Sequence, residues 1–469
     1  MRERLPLRGE DSPVARQRVP ETGNDSRVAR ECSRAPRLGY NEPPMTAESA
    51  PYDAIIIGGG PAGSTAGLVM ARAGLRVKLL ERAPHPRFHI GESLLPRNMA
   101  LLQELGLMEA LHTVPRVRKL GAEFMLGDGQ NPGLFPFSMG LVPGADEAVN
   151  LERAPFDAML LDEARKAGVE VAEGTSLKKV LRLEEGHAEI TTDAGETLTA
   201  RVLVDASGQS TVLGKHLGLR KTLPDFKKVA YFGHFENVTR RPGDEGGYIV
   251  IVMTDDGWFW SIPLNETKTS IGLVMGMDRA KSLGVPPDQI LAWAIERCPA
   301  MRERTAEAVF PGETHVLADF SYRCAPYAGP GFFLIGDAAA FVDPIFSTGV
   351  CMGMMTGTEA ARGILSILRG TEKPEQVRRR YARYIEDSTG VFFRLIRMYY
   401  HHSFRELFLT GEGPLGVHRA AMSILAGHVY PRPAWPLRWR FWLLSFLIQF
   451  NRYYSIAPRR PRFSLVDRG

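Results

Sequence analysis

The chain has 469 residues, 44% of them hydrophobic and 24% charged. That is apolar material for two or three cores at roughly 150 residues each, and it excludes a collagen-like fibre, a coiled coil and a wholly disordered chain. The net charge is +5, and eight arginines against the single acid Asp467 fall within Pro431 to Gly469, so the remainder is near neutral and a nucleic-acid-coating protein is excluded.

Residues 1–50 carry nine arginines, no lysine and eight acids, with almost no apolar periodicity. This composition predicts a disordered tail, and the acids argue against a transit peptide. Met45, just ahead of the first strand, is a second candidate start. From Asp53 the pattern is strand, turn, helix, strand: the apolar run Ala54–Ile57, a Gly-rich turn, a helix from about Ala62, and Arg76–Glu81. The turn Gly58-Gly59-Gly60-Pro61-Ala62-Gly63 fits G-x-G-x-x-G. Gly58 permits the tight bend, Gly60 lets the backbone approach a pyrophosphate at the helix N-terminus, and Gly63 lets helix and strand pack closely. Glu81, about 20 residues further on, is placed to accept hydrogen bonds from a ribose.

Next come Gly91-Glu92-Ser93-Leu94-Leu95-Pro96, then Lys119 within Arg118–Phe124, then Arg153 within Glu152–Asp157. Short alternating runs at Lys179–Leu183, Ala188–Thr192 and Leu198–Val204 predict a β-meander that closes on Asp205-Ala206-Ser207-Gly208. Runs at Val229–Val238, Tyr248–Met253, Trp258–Pro263 and Ser270–Val274 predict a separate antiparallel sheet. Within it, Gly257–Pro263 contains W-x-W-x-I-P, and a period of two sets Trp258, Trp260 and Ile262 on one face as an aromatic wall. Pro263 ends the motif.

Gly331–Ala339 places Gly336 and Asp337 after an apolar run, and Asp343–Val350 carries Pro344, Phe346, Thr348 and Gly349 in a turn whose successive N–H groups suit an anion. Helices are predicted at Thr356–Leu368 and Pro374–Glu386. His401 and His402 lack a third ligand at a recognisable spacing, so no metal site is expected. The four cysteines Cys32, Cys298, Cys324 and Cys351 have no C-x-x-C spacing and read as thiols in a reducing cytoplasm. The longest apolar run, Phe441–Phe450, is interrupted by Ser445 and Gln449, whereas a spanning helix needs about 20 residues. With Trp435, Arg438, Trp439, Arg440, Trp442 and Arg459-Arg460-Pro461-Arg462, it forms either a helix packed on the core or a docking face for an anionic membrane or an acidic carrier protein.

Gly331–Ala339 resembles the second FAD motif of the flavoprotein hydroxylases, Asp205–Gly208 their D-x-x-G element, and Arg153 their extra cofactor-binding arginine. With W-x-W-x-I-P, Gly91–Pro96, Lys119 and Asp343–Val350, the chain over about 51–400 resembles the FAD-dependent halogenases. That resemblance implies an α/β fold. A doubly wound FAD domain is expected from 51–115, 148–215 and 318–370, a β-sheet roof from 116–147 and 216–317, and a helical region from 371–469. It implies cofactor contacts from Gly58, Gly60, Ala62, Gly63, Glu81, Arg153, Asp205, Gly208, Gly336, Asp337 and Pro344, and halide binding by Thr348 and Gly349. Trp258, Trp260, Ile262 and Pro263 would form the barrier between flavin and organic substrate. FAD reduced by a separate reductase, O2 and chloride or bromide would yield hypohalous acid that passes to Lys119, with Glu123 a further candidate for proton transfer. Members specific for tryptophan carry Glu where this chain has Phe346, which points to the branch acting on phenols and pyrroles, some of them carrier-bound. A ring hydroxylase, an isoprenoid double-bond reductase and a non-catalytic FAD-binding protein are the alternatives.

Overall fold

A computed structural model describes residues 51–130, 132–410, 414–430 and 432–466, and the tail expected over 1–50 lies outside the described residues. Consecutive apolar residues at Ala54–Ile57 point to both faces of their strand, which therefore needs cover on each side. The strand Tyr52–Ile57 pairs in parallel with Val77–Glu81 on one side and Thr197–Asp205 on the other. Phe332–Leu334 and Glu170–Glu173 extend the sheet outward. Leu177–Glu184, His187–Thr192 and Thr197–Asp205 pair antiparallel in succession, and the last of these meander strands runs on into the parallel sheet.

The helices Pro61–Arg72 and Gly349–Leu368 cross closely, because a Cβ on Gly357 would stand only 2.6 Å from the Ala62 carbonyl oxygen. Their crossing brings two helix N-termini to the C-terminal end of the parallel strands, where ligands of such sheets bind.

A second sheet runs His315–Ala318, Lys228–Glu236, Lys268–Gly276, Gly257–Pro263, Ile249–Met253, Gly121–Leu126, Gly133–Pro136. It is mixed rather than wholly antiparallel. Gly121–Leu126 enters from a distant part of the chain, with no hairpin to impose direction, and pairs in parallel with Ile249–Met253. One face, with Val252, Phe259, Ile271 and Leu273, packs beneath Ile290–Arg297 and Pro299–Arg304. The other, with Trp258, Trp260 and Ile262, packs toward Phe392, Tyr399, Phe404 and Phe441 of the C-terminal helices Pro374–Tyr399, His402–Phe408 and Trp435–Tyr453. The short strands Arg116–Lys119 and Ala148–Leu151 pair with each other. Among the described residues no helix is long and apolar enough to cross a membrane.

Candidate active site

A cavity of about 810 Å³ opens where the two helix N-termini meet the second sheet. That volume lies within the range of cofactor sites, roughly 300–1,000 Å³. Gly58, Gly60, Ala62, Glu81, Arg153, Gly208, Asp337, Pro344, Thr348 and Gly349 line it on one side, and Trp258, Trp260 and Ile262 on the other.

The three glycines of the turn differ in the space around them. Gly58 has φ +106°, and a Cβ there would lie 2.4 Å from the Ala206 carbonyl oxygen. A Cβ on Gly63 would lie 1.9 Å from the Gly58 carbonyl oxygen, so Gly63 packs behind the cavity wall. At Gly60 the nearest atom is Arg87 Nη2, 3.8 Å away, and the space is open. Arg82, Arg87 and Arg153 add positive charge to that of the helix N-termini, as a diphosphate requires.

Glu81 is pinned in place: Oε2 accepts from the Gly59 amide at 2.7 Å and Oε1 from Ala83 at 3.1 Å. Oε2 also accepts from Arg87 Nη2 at 3.5 Å, so it is Oε1 that keeps a lone pair for a ribose hydroxyl. Arg153 is clamped bidentately on Asp157 at 2.7 and 2.9 Å, and its third nitrogen donates to the Ile90 carbonyl. Desolvation pushes the Asp337 carboxyl up to about 6, against the pull of Arg153. The donors, the open cradle at Gly60 and the paired helix termini fit FAD.

Three further expected contacts, besides Gly63, stand off the wall. Asp205 is fully buried and spends its oxygens on the turn, accepting from the amides of Ser207 at 2.9 Å and Leu213 at 2.7 Å. Gly336 lies one layer back, where its N–H donates to Thr356 Oγ1 and a Cβ would meet Ala62 Cβ at 3.1 Å. Pro263 follows Phe259 and Ser261 onto the alternate face of its strand, leaving the cavity to Trp258, Trp260 and Ile262.

Lys119 is buried beside the cavity rather than on its wall. Its Nζ donates to Ser93 Oγ at 2.8 Å and to the Leu94 carbonyl at 3.0 Å, and Ser93 itself lines the cavity. The Phe137 ring centroid lies 5.2 Å from Nζ. Desolvation with no carboxylate partner pushes this amine down to about 7. Glu123 does not share the environment of Lys119. Its two oxygens are held by Arg241 at 2.6 Å and Arg304 at 2.8 Å, which removes it from proton transfer at the lysine.

Four groups, Glu92, His234, Asp343 and Tyr400, escaped the sequence reading. Glu92 lines the cavity with Oε1 2.7 Å from His234 Nε2, while its buried Oε2 has no hydrogen-bond partner among the described residues. Burial works against charge on His234, but the Glu92 carboxylate more than offsets it and raises the imidazole. Asp343, raised to about 6 by burial, accepts from Tyr400 Oη at 2.6 Å and the Ile345 amide at 3.0 Å. Glu92 and Ser93 sit inside the Gly91–Pro96 motif, which was the available signal. Tyr400 gave none.

A family model described as an FAD binding domain matches residues 51–383. The chain is 30% identical over 377 residues to a 1H-pyrrole-2-carbonyl-[peptidyl-carrier protein] chlorinase of Pseudomonas fluorescens, covering 74% of this chain and 83% of that one. The chain belongs to the flavin-dependent halogenases. A 1H-pyrrole-2-carbonyl-[peptidyl-carrier protein] brominase of Pseudoalteromonas luteoviolacea is 33% identical over 70% of this halogenase and 80% of its own length. Among solved structures, a flavoprotein/dehydrogenase from Cytophaga hutchinsonii superposes with a TM-score of 0.77 at 27% identity, covering 85% of this chain and all of that one. The flavin-dependent brominase Bmp2 gives 0.73 at 29% identity, covering 81% and 94%. FAD is thus the cofactor of this halogenase, and its α/β fold is that of the family.

Proposed function

We propose that the enzyme chlorinates or brominates a phenol or pyrrole ring through Lys119. The observation that carries this reading is a buried amine, near neutrality in its titration, hydrogen-bonded to a serine on the wall of the FAD cavity. Reduced FAD, with oxygen and halide, supplies hypohalous acid when bound. The Thr348 and Gly349 amides at the N-terminus of Gly349–Leu368 hold the halide. Trp258 and Trp260, with ring centroids 5.9 Å apart, keep the organic ring from the flavin. The neutral Lys119 amine uses its two N–H groups on Ser93 and Leu94, which leaves its lone pair for halogen. It exchanges one N–H proton for halogen, with water leaving, and is regenerated when the halogen passes to the ring and the ring proton returns to nitrogen.

Phe346 packs on Tyr399 with centroids 5.9 Å apart, an apolar pair where a carboxylate would polarise a less activated ring. This supports an electron-rich substrate. The names of the two pyrrole halogenases support delivery on a carrier protein. A single dinucleotide fingerprint supports a separate reductase, and the buried free thiols Cys298, Cys324 and Cys351 fit a reducing cytoplasm.

The test supplies reduced FAD, oxygen and bromide with a free phenol or a pyrrole thioester on carrier protein, and reads bromine in the product by mass. Oxygen in place of halogen would make the enzyme a hydroxylase. NADH consumption matching product formation without added reductase would remove the separate reductase.

A further inference from the structure

The helix Trp435–Tyr453 is apolar on two faces. Leu437, Phe441, Leu444 and Ile448 are buried and hold it to the core. Trp442, Phe446, Phe450 and Tyr454, four residues apart, form a second stripe that faces water. Their rings stack in series, with centroids 6.0, 5.8 and 4.8 Å apart. Trp442 is 63% exposed and Tyr454 64%, and Trp435, two turns before Trp442, is 70% exposed. From Trp442 to Tyr454 the ladder runs about 18 Å along the helix, so it is a ridge rather than a scattered surface ring.

Charge identifies what covers it. Between Arg432 and Val466 the chain contains no acid, and among the described residues Arg438, Arg440, Arg452 and Arg462 have no ion-pair partner. A second copy docked on the ridge would set arginine against arginine. An acidic carrier protein would answer the arginines, but its charged face offers four stacked exposed rings no apolar phase to enter. An anionic bilayer satisfies both, because tryptophan and tyrosine rings settle at the headgroup level and each arginine near the surface contributes about 1 kcal/mol.

We propose that the exposed aromatic ridge of Trp435–Tyr453, with its flanking arginines, docks the enzyme on an anionic membrane surface. This inference is independent of the halogenation reading, since vesicle binding needs no turnover.

The experiment is flotation of the FAD-loaded full chain with phosphatidylcholine vesicles, with and without phosphatidylglycerol, at low and high salt. The expected result is binding to the anionic vesicles, at least tenfold weaker on neutral ones and weakened by salt. The variant Trp442→Ser/Phe446→Ser/Phe450→Ser, checked by retained FAD absorbance, should lose at least tenfold in binding. Arg438→Gln/Arg452→Gln should lose the preference for anionic lipid and keep its FAD. Should the triple variant lose FAD, Trp442→Ser alone carries the same comparison. Absence of binding to anionic vesicles overturns the proposal, as does a folded ridge variant that still binds. So does a dimer, seen by sedimentation, that the ridge changes abolish, or saturation of the ridge by a carrier protein with no vesicle binding.

Discussion

Tyr400 and Asp343, 57 residues apart, share a 2.6 Å hydrogen bond in which the phenol donates to the carboxylate. The same Tyr400 oxygen accepts from the Trp258 indole at 3.1 Å, so one hydroxyl ties the aromatic wall to the loop that begins Asp343-Pro344. Lys228 Nζ stands 4.1 Å from the Tyr400 ring centroid. Tyr400→Phe leaves Asp343 Oδ2 and Trp258 Nε1 buried without their partner, a cost of about 1–3 kcal/mol per orphaned group. Because Tyr400 opposes the burial that raises Asp343, its loss also moves that carboxyl further up. We expect the variant to bind FAD but to give roughly tenfold less halogenated product per FADH2 consumed. Unchanged coupling, measured as product against oxygen uptake, would make the bond purely structural.

Lys119→Met replaces the amine with an unbranched side chain that still fills its buried site. Nucleophilic and proton-transfer groups commonly contribute 10²–10⁴-fold, so halogenation should fall by roughly that factor. Oxygen consumption with reduced FAD should remain, since no cofactor contact is lost. A variant that cannot retain FAD would show that Lys119 supports the cavity wall through Ser93 instead.

The amine's titration gives a pH signature. An ordinary lysine is charged throughout the neutral range, whereas desolvation brings Lys119 down to about 7. Transfer through the neutral amine therefore predicts halogenation that rises with pH through about 7 and levels off above it, measured with hypobromous acid supplied directly. A rate that falls through 7 would assign the work to the ammonium. Stability follows the opposite protonation state. The folded chain disfavours the proton, so the penalty is fully present below 7 and fades as pH rises from 7 toward the unfolded lysine's value. Lys119→Met should accordingly raise the melting temperature most at pH 6 and least in alkali.

The cofactor half of this site was legible because its groups are close in sequence: Gly58, Gly60 and Gly63 belong to one turn, with Glu81 on the neighbouring strand. Depth was not legible. Asp205 and Gly336 occupy their motifs yet sit behind the wall, since a motif records the backbone path and not which atoms reach the ligand. The pairing of Lys119 with Glu123 failed for a definite reason. Arg116–Lys119 pairs with Ala148–Leu151, Gly121–Leu126 with a different sheet, and the break between them resets the two-residue period. Tyr400 and His234 reach their partners across 57 and 142 residues, distances at which periodicity carries no information.

Gly60 and Gly63 separate binding from folding. A methyl at Gly60 projects into open cavity, so Gly60→Ala should fold normally and lose FAD affinity by tenfold or more. A methyl at Gly63 meets the Gly58 carbonyl oxygen at 1.9 Å, so Gly63→Ala must displace helix from turn and should lower thermal stability of the apoprotein as well. Equal melting temperatures for the two apoproteins would contradict this division.

Gly349 separates halide from flavin in the same way. A Cβ there would stand 3.5 Å from the Phe341 ring and 3.9 Å from Asp337 Oδ1, ordinary contacts that require no shift of the backbone. Gly349→Ala should therefore fold and bind FAD. Its methyl nevertheless occupies space on the cavity wall beside the Thr348 and Gly349 amides, where the halide is proposed to sit. A larger side chain at Gly349→Val takes more of that space, so the two variants should form a series: halide needed for half-maximal bromination rises at least severalfold in the first, and bromination is lost in the second. Reoxidation of reduced FAD should continue in both, which distinguishes a blocked anion site from a lost cofactor. If Gly349→Val brominated with the wild-type dependence on bromide, the anion site would have to lie elsewhere on the wall.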